Sequence, residues 1–336
     1  MTVTPLYLHG LGHFHPENVV DNQFLEDLGI GTSHDWITER VGIRTRRTVL
    51  PLDYIRQTKN RDPRAALEAA LYSNVETGRR AALHALERAG LAPSDIGMVV
   101  AGGCTPEMQI PAEACRIAQA LGIEATGLDL NSACSSFGAA LHVLAQMREL
   151  PRFVLVVNPE NTTRVIDYSD RSSAVLWGDG TSAAVVSSVE PSRARVVQTT
   201  LSSSPAGAGL VTIPRYGHFA QDGSAVQRFA IKTTGGCLDS LLPEARARLE
   251  ASGGRLHFVG HQANLLMLQA VARRAGFAPD EHWFNVTEFG NTGAAGAPSV
   301  LSQHWDDLGS GDTVLLVVVG SGLSWSSLRV DVEDIT

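Results

Sequence analysis

The sequence predicts an α/β fold built around a mixed, mostly parallel sheet. Short runs of Val, Ile and Leu alternate with helical patterns along the whole chain. The run 314–319 is aliphatic throughout, which is typical of a strand buried on both faces. The length of 336 residues predicts two domains, or one large fused pair.

Each predicted element follows from its own pattern. Three segments carry an apolar stripe at helical spacing and stop at a glycine that can cap the helix: 76–89, 112–121 and 265–275. The predicted strands are 96–101, 153–157, 183–186, 256–259 and 313–319. A faint repeat links 128–147 with 286–303, because both segments pass from a turn into a helix of very small residues.

Composition argues against several classes of function. The net charge is −8 and no long run of Lys or Arg occurs, so neither nucleic acid nor an anionic membrane is an expected partner. The longest wholly aliphatic run is far below the roughly 20 residues that span a bilayer. The first residues lack the basic and apolar regions of a secretory signal. We therefore expect a soluble, cytoplasmic protein.

One of the four cysteines is a candidate nucleophile. No CxxC pair or zinc-finger spacing occurs, so neither a structural metal site nor a disulfide framework is expected. Cys134 lies in DLNSACSSFG, which predicts a place in the first turn of a buried helix. Free N–H groups and the helix dipole there would favour a thiolate. Cys104, Cys115 and Cys237 have no such setting.

A thiolate nucleophile needs partners that handle protons and oxyanions. His261 comes directly after the predicted strand 256–259 and Gly260, although a histidine there could also cap the next helix. Asn291 enters a small-residue helix, where asparagine is often a turn residue or an N-cap. The local sequence around Cys134 differs from that of papain-like proteases, and no nucleotide-binding glycine fingerprint occurs.

Six ordered motifs together resemble the β-ketoacyl-ACP synthase III family of the thiolase superfamily. They are WITERVGIR at 36–44, NSACSSF at 131–137, WGDGTSAA at 177–184, HQAN at 261–264, GNT at 290–292 and GSGLSW at 320–325. The resemblance implies a thiolase-like fold of two pseudo-repeated halves, 1–185 and 186–336, in five α/β/α/β/α layers. It also implies a homodimer.

The resemblance further implies a chemistry for the three candidates. Cys134 would hold an acyl group, and His261 and Asn291 would stabilise the enolate formed when a malonyl thioester loses CO2. The backbone N–H groups of Cys134 and Gly322 would form the oxyanion hole. Acyl-CoA, a malonyl thioester and acyl carrier protein would be substrates or partners, with no permanently bound cofactor and no metal.

More peripheral roles follow from the same resemblance. Trp36 and Arg171 would clamp the CoA adenine, Arg40 would lie near the phosphates, and Asn264 would line the pantetheine tunnel. Trp36 could instead be a core tryptophan. The remaining expectations are Ile110 as a small acyl-pocket gate, Arg273 and Arg274 as carrier-docking residues, and the long segment 49–74 as part of the entrance. The last group favours a member from specialised metabolism.

Three functions remain open from the sequence. The first is a decarboxylative condensing enzyme, and the second is an acyltransferase that moves the Cys134-bound acyl group to a hydroxyl or a carrier thiol. The third is a non-catalytic scaffold partner of a polyketide synthase. The presence of Asn291 favours condensation over plain transfer, and the complete Cys134, His261 and Asn291 set argues against a scaffold.

Overall fold

The computed structural model describes residues 5–334 and has the alternating elements of an α/β protein. The strands are β1 Leu6–Phe14, β2 Asn18–Asp21, β3 Thr45–Thr48, β4 Met98–Ala101, β5 Thr126–Asp129, β6 Val154–Glu160, β7 Gly180–Ser187, β8 Ala194–Ser203, β9 Val211–Thr212, β10 Ala220–Gln221, β11 Leu256–Gly260, β12 His282–Trp283, β13 Thr313–Gly320 and β14 Ser324–Val332. The α-helices are α1 Asn22–Asp27, α2 His34–Val41, α3 Leu52–Thr58, α4 Pro63–Ala69, α5 Asn74–Ala89, α6 Glu113–Leu121, α7 Ser136–Gln146, α8 Arg171–Ala174, α9 Gly223–Ser252, α10 Leu265–Arg274, α11 Val286–Phe289 and α12 Gly296–Gln303.

The central sheet consists of two five-stranded units with the same topology. Its order is β12-β11-β13-β14-β8-β1-β7-β6-β4-β5. Starting from either outer edge, the strand pairings are parallel, parallel, antiparallel and antiparallel. The antiparallel pairing of β1 with β8 joins the units into one ladder. This repeat is the one expected of a thiolase-like fold; the division after residue 185 stays a prediction.

The expectation of a mostly parallel sheet is wrong. Among the described residues, four neighbouring pairs in this sheet are parallel and five are antiparallel. The error has a physical reason. A strand covered by helices on both faces is apolar throughout, as the wholly buried β13 is, whichever direction its neighbours run.

Helices cover both faces of the two units and complete five layers. The outer helices α5 and α6 pack on the first unit, and α9 packs on the second with α10 against it. Between the units lie α7 and α12, each of which contacts strands of both. At Gly138 in α7, an added Cβ would lie 2.2 Å from the Ser326 Oγ of β14, so only glycine allows this close approach.

Local sequence signals predicted the bounds of these helices to within a few residues. Ser73 and Glu76 form a capping box at the start of α5, and Gly90 ends it in the left-handed conformation at φ 66°. Within residues 5–334, none of the helices combines the length and apolar character required to cross a bilayer.

Candidate active site

Cys134 lies on a tight turn between β5 and α7. Ala133 has φ 48°, in the left-handed region, and the Ser135 and Ser136 N–H groups donate back to Ser132 and Ala133 at 3.1 and 3.0 Å. The predicted position in the first helical turn is wrong, because α7 begins at Ser136, two residues later. The Ser136 side chain accepts a hydrogen bond from the Ser132 N–H, which closes the turn that carries Cys134 ahead of the helix.

The surroundings of Cys134 favour its thiolate. Its Sγ lies 3.8 Å from the Sγ of Cys104, and the residue is 8% exposed. The hydrogen bond from Cys104 is the largest cause that lowers the pKa of Cys134 well below its ordinary value, against the effect of burial. The charge and hydrogen bond of His261 lower this pKa further. Cys134 and His261 therefore meet in one site.

His261 is placed by the end of β11 and by the buried side chain of Gln262. The Gln262 amide donates to the Gly260 carbonyl at 2.7 Å and accepts from the Asn285 N–H at 3.0 Å. The alternative of a helix cap is excluded, since Asn264 caps α10 through the Met267 N–H. The buried Nδ1 of His261 has no hydrogen-bond partner among the described residues.

Asn291 is buried at the entrance to α12. Its backbone pairs with the loop before β7, since its N–H donates to the Leu176 carbonyl and its carbonyl accepts from Gly178. Its side-chain oxygen accepts from the Gly293 N–H at 3.0 Å, which leaves the amide NH2 group as the donor. The WGDG motif therefore packs against the Asn291 loop. A Cβ at Gly178 would lie 2.2 Å from the Phe289 carbonyl oxygen, so the two segments are in close contact there.

Glu160 connects the nucleophile side of the site to the Asn291 loop. It ends β6, is fully buried, and accepts hydrogen bonds from the N–H groups of Cys104 at 3.0 Å and Ala294 at 2.8 Å. Burial raises the pKa of Glu160 to about 8, and the charge of Cys134 adds to this rise. Glu160 thus holds the two loops together, and its surroundings favour its protonated form.

The end of β13 lies directly against the turn that carries Cys134 (the nucleophile turn). A Cβ on Gly320 would lie 3.0 Å from the Cys134 N and 3.1 Å from the Ser135 N. Gly322, two residues later, has φ 127°, a conformation that favours glycine. The end of β13 that leads to Gly322 therefore adjoins Cys134, and the oxyanion role of Gly322 stays a prediction.

The predicted CoA residues also come together. The guanidinium carbons of Arg171 and Arg40 lie 4.8 and 5.1 Å from the ring centroid of Trp36. The Asn264 side chain donates to the Arg40 carbonyl at 3.2 Å. Trp36 is half-buried, so one part of its ring packs on the core while two cations lie over it.

The three remaining predicted residues lie away from this cluster. Ile110 is 83% exposed and precedes Pro111 in the segment between β4 and α6. Arg273 and Arg274 are exposed in the last turn of α10, about 15 Å along that helix from Asn264.

A cavity of about 720 Å³ opens beside Cys104. The segment after β4 forms part of its wall, including Thr105 and Met108, and α4 contributes Leu67. The long segment 49–74, which forms α3 and α4, thus reaches the space next to the site. Within residues 5–334, no group of three or more His, Cys, Asp or Glu side chains could hold a metal ion.

Comparison with known proteins gives consistent matches. The family model for 3-oxoacyl-(acyl-carrier-protein) synthase III matches residues 128–205, and the model for the C-terminal part of that enzyme matches residues 256–332. The β-ketoacyl-(acyl-carrier-protein) synthase III of Oceanobacillus iheyensis is 30% identical, over 96% of this chain and 97% of its own length. The chain belongs to the β-ketoacyl-ACP synthase III family.

Solved structures of family members have the same fold. The 3-oxoacyl-(acyl carrier protein) synthase III of Pseudomonas aeruginosa superposes with a TM-score of 0.83 at 27% identity, covering 98% of this chain and 99% of that one. The priming β-ketosynthase of the R1128 polyketide pathway superposes with a TM-score of 0.79 at 29% identity, covering 98% and 96%. The thiolase-like fold predicted from the motifs is confirmed.

Cys104 and Glu160 are the site residues that sequence reasoning missed in this ketosynthase III family member. Cys104 was assigned no functional setting, yet it contacts Cys134. A usable signal existed, because Cys104 follows the buried strand β4 and Glu160 ends its parallel neighbour β6. Polar groups at the carboxyl ends of adjacent parallel strands lie where α/β proteins bind ligands.

Proposed function

We propose that this chain catalyses a decarboxylative Claisen condensation between a Cys134-bound acyl group and a malonyl thioester, in fatty acid or polyketide biosynthesis. The observation that carries the proposal is the contact of Cys134 with both Cys104 and His261, which favours a thiolate in a buried site. Membership of the ketosynthase III family supports the reaction class.

In the first step, the Cys134 thiolate attacks the carbonyl carbon of an acyl thioester. The backbone N–H groups of Cys134 and Gly322 stabilise the oxyanion, and the C–S bond of the donor then breaks, so that its thiolate departs and the acyl group stays on Cys134. The close approach of Gly320 to the Cys134 and Ser135 N–H groups supports this role for the β13 loop.

In the second step, His261 and the Asn291 NH2 group hydrogen-bond the carbonyl oxygen of the malonyl thioester. Its carboxylate leaves as CO2, and the enolate carbon attacks the acyl carbonyl, which releases the Cys134 thiolate and a β-ketoacyl thioester. Each such donor lowers the barrier by about 3–4 kcal/mol, as measured for oxyanion-hole donors. No resident cofactor takes part.

Substrate delivery uses two surfaces in this proposal. Trp36, Arg40 and Arg171 bind CoA by ring stacking and phosphate pairing, and Asn264 lies on the path of the pantetheine arm. An acidic acyl carrier protein docks on Arg273 and Arg274. The Arg–Trp stacking and the exposure of the two helix-end arginines support these assignments.

The proposed active form is a homodimer in the cytoplasm. Ile110 is 83% exposed, so its side chain is accessible to a second copy of the chain. Ile110 would then reach the acyl pocket of the second copy. A gate of this size, together with α4 at the cavity, favours a large starter acyl group and a place in specialised metabolism.

A two-stage intact-mass experiment tests the function. The protein is loaded with a panel of acyl-CoAs and then given malonyl-carrier protein, and both protein masses are measured. We expect a Cys134 adduct, followed by a carrier product lighter by CO2 than the sum of its parts. Cys134→Ala should form no adduct, whereas the exposed Cys115→Ala should load normally.

Two other results would overturn the proposal. An adduct without a decarboxylated product would assign plain acyl transfer to a hydroxyl or a carrier thiol. Absence of any adduct with every acyl-CoA and acyl carrier would assign a non-catalytic partner role.

A further inference from the structure

The two active-site cysteines are brought together by the central sheet. Strands β4 and β5 are parallel neighbours, and their last residues, Ala101 and Asp129, are paired. The loops that follow therefore leave the same edge of the sheet, and they carry Cys104 and Cys134. Their sulfur atoms lie 3.8 Å apart, so an S–S bond of about 2.05 Å requires an approach of about 1.8 Å.

Hydrogen bonds and close packing hold the backbone of Cys104 in place. Both Glu160 oxygens accept from the Cys104 N–H, at 3.1 and 3.0 Å. At the preceding Gly103, a Cβ would lie 2.8 Å from the Pro159 carbonyl oxygen, so the loop packs tightly on the end of β6. With the backbone held, the remaining gap is left to movement of the two side chains.

We propose that Cys104 and Cys134 form a reversible disulfide when the protein meets a peroxide, which makes this pair a redox modification site that protects the nucleophile. The proposal goes beyond condensation, since it concerns the free protein. It gives Cys104 a role as the resolving thiol.

The two thiols differ in pKa, as the reaction with a peroxide requires. The hydrogen bond to Cys134 and burial raise the pKa of Cys104 well above its ordinary value, whereas that of Cys134 is lowered. These opposite directions favour the thiolate on Cys134 and the proton on Cys104. A thiolate attacks peroxides far faster than a thiol does, so Cys134 is the residue that reacts first.

The reaction proceeds in two balanced steps. The Cys134 sulfur attacks one peroxide oxygen, the O–O bond breaks, and a sulfenic acid and one water form once the proton is counted. The Cys104 sulfur then attacks the sulfenic sulfur, the S–O bond breaks, and a second water leaves with the Cys104 proton. Two thiols are oxidised to one disulfide, and one hydrogen peroxide is reduced to two waters.

The disulfide has a clear consequence for the enzyme. Cys134 cannot take an acyl group while it is bonded to Cys104, and a dithiol reductant restores it. Without Cys104, the sulfenic acid is oxidised further to a sulfinic acid, which dithiols do not reduce. The Cys104 thiol thus replaces an irreversible oxidation of Cys134 by a reversible loss of acyl loading.

The experiment uses the full-length protein treated with hydrogen peroxide, followed by intact mass and peptide mapping under non-reducing conditions. The wild type should become lighter by two hydrogen atoms, with the Cys104 and Cys134 peptides joined. Dithiothreitol should return both the mass and the capacity for acyl loading. Cys115→Ala, at an exposed cysteine that contacts no other thiol, should behave as the wild type does.

Cys104→Ala and Cys104→Ser should instead gain oxygen on Cys134, and dithiothreitol should recover almost none of their loading capacity. The proposal is overturned if oxidised wild type contains no joined peptide, or if the Cys104 variants recover as fully as the wild type. The joined peptide and the added oxygen are measured on the free protein without substrate, so these two readouts are independent of the proposed condensation.

Discussion

The protonation state of Cys134 depends on individual neighbouring side chains. The Cys104 thiol is the largest contributor to its lowered pKa, and His261 adds to the effect. The turn that carries Cys134 precedes α7, so specific hydrogen bonds at the sulfur, more than a place inside the helix, account for the thiolate.

Replacing Cys104 should therefore change the reactivity of Cys134. We expect Cys104→Ala to move the pH midpoint of Cys134 alkylation by iodoacetamide upward, because the donor that lowers its pKa is lost. Cys104→Ser, which keeps an O–H donor, should lie between Ala and the wild type. Peptide mass spectrometry measures the rate at Cys134, and an unchanged midpoint in Cys104→Ala would contradict this account.

Glu160 should make stability depend on pH. Its pKa is raised from 4.5 to about 8 in the folded protein, so the folded state binds the proton more tightly than the unfolded state does. Its contribution is fully present below pH 4.5 and is lost as the pH rises to about 8. The loss should approach about 1.4 kcal/mol per pH unit in that window.

The matched variant for this measurement is Glu160→Gln, which cannot ionise. Urea unfolding under reducing conditions gives the free energy of unfolding at several pH values. The wild type should lose stability relative to Glu160→Gln between pH 4.5 and 8, while titrating groups that do not interact with Glu160 cancel in the difference. If the free energy of unfolding depended on pH in the same way in both proteins, the ionisation of Glu160 would not be disfavoured by its burial.

At the scale of elements, the strand β13 and the nucleophile turn form one packed unit. We expect Gly320→Ala to reduce the rate of acyl loading by at least tenfold, which corresponds to about 1.4 kcal/mol in the barrier. Its Cβ would lie 3.0 Å from the Cys134 N, so the turn or the strand must shift. Single-turnover loading with acyl-CoA measures this effect.

Gly309→Ala is the control for this substitution. It lies shortly before the same strand, and its Cβ would meet its nearest neighbour, the Asp312 Oδ2, at an ordinary 3.8 Å. Its loading rate should match that of the wild type. Equal rates for Gly320→Ala and Gly309→Ala would show that the contact between β13 and the turn does not position the nucleophile.

Local sequence predicted the helices and strands better than it predicted the contacts between them. The aliphatic run at 313–319 and the cap at Gly90 are local signals, and they placed β13 and the end of α5 closely. The approach of Cys104 to Cys134 depends instead on the lateral pairing of β4 with β5, between residues that are distant in the chain. Cys134, His261 and Asn291 were identified because short motifs surround each of them.

At the scale of the whole molecule, the proposed dimer places Ile110 in an interface. We expect Ile110→Asp to weaken self-association, because a carboxylate would lose its water in an apolar contact. Sedimentation velocity across a concentration series should show a dimer for the wild type and a shift towards monomer for the variant. Val189→Asp, at an aliphatic residue that is 62% exposed, serves as the control. A monomeric wild type would contradict the dimer.

The duplicated topology also explains why the two units contribute different residues to the site. The turn after β5 carries Cys134, and the corresponding turn after β12 leads through α11 to Asn291. One unit therefore supplies the nucleophile, and the other supplies His261 and Asn291, which we assign to the enolate. Glu160 joins the two across the middle of the molecule.

The most direct test of this division is to measure acyl loading and decarboxylation separately in Asn291→Asp. Loading is followed as the rate of Cys134 adduct formation, and decarboxylation as the rate of CO2 release from a malonyl thioester by the loaded enzyme. A carboxylate next to an enolate repels it, so CO2 release should fall by about 100-fold or more while loading changes little. Equal losses in both steps would contradict the role assigned to Asn291 and, with it, the proposed division of the site.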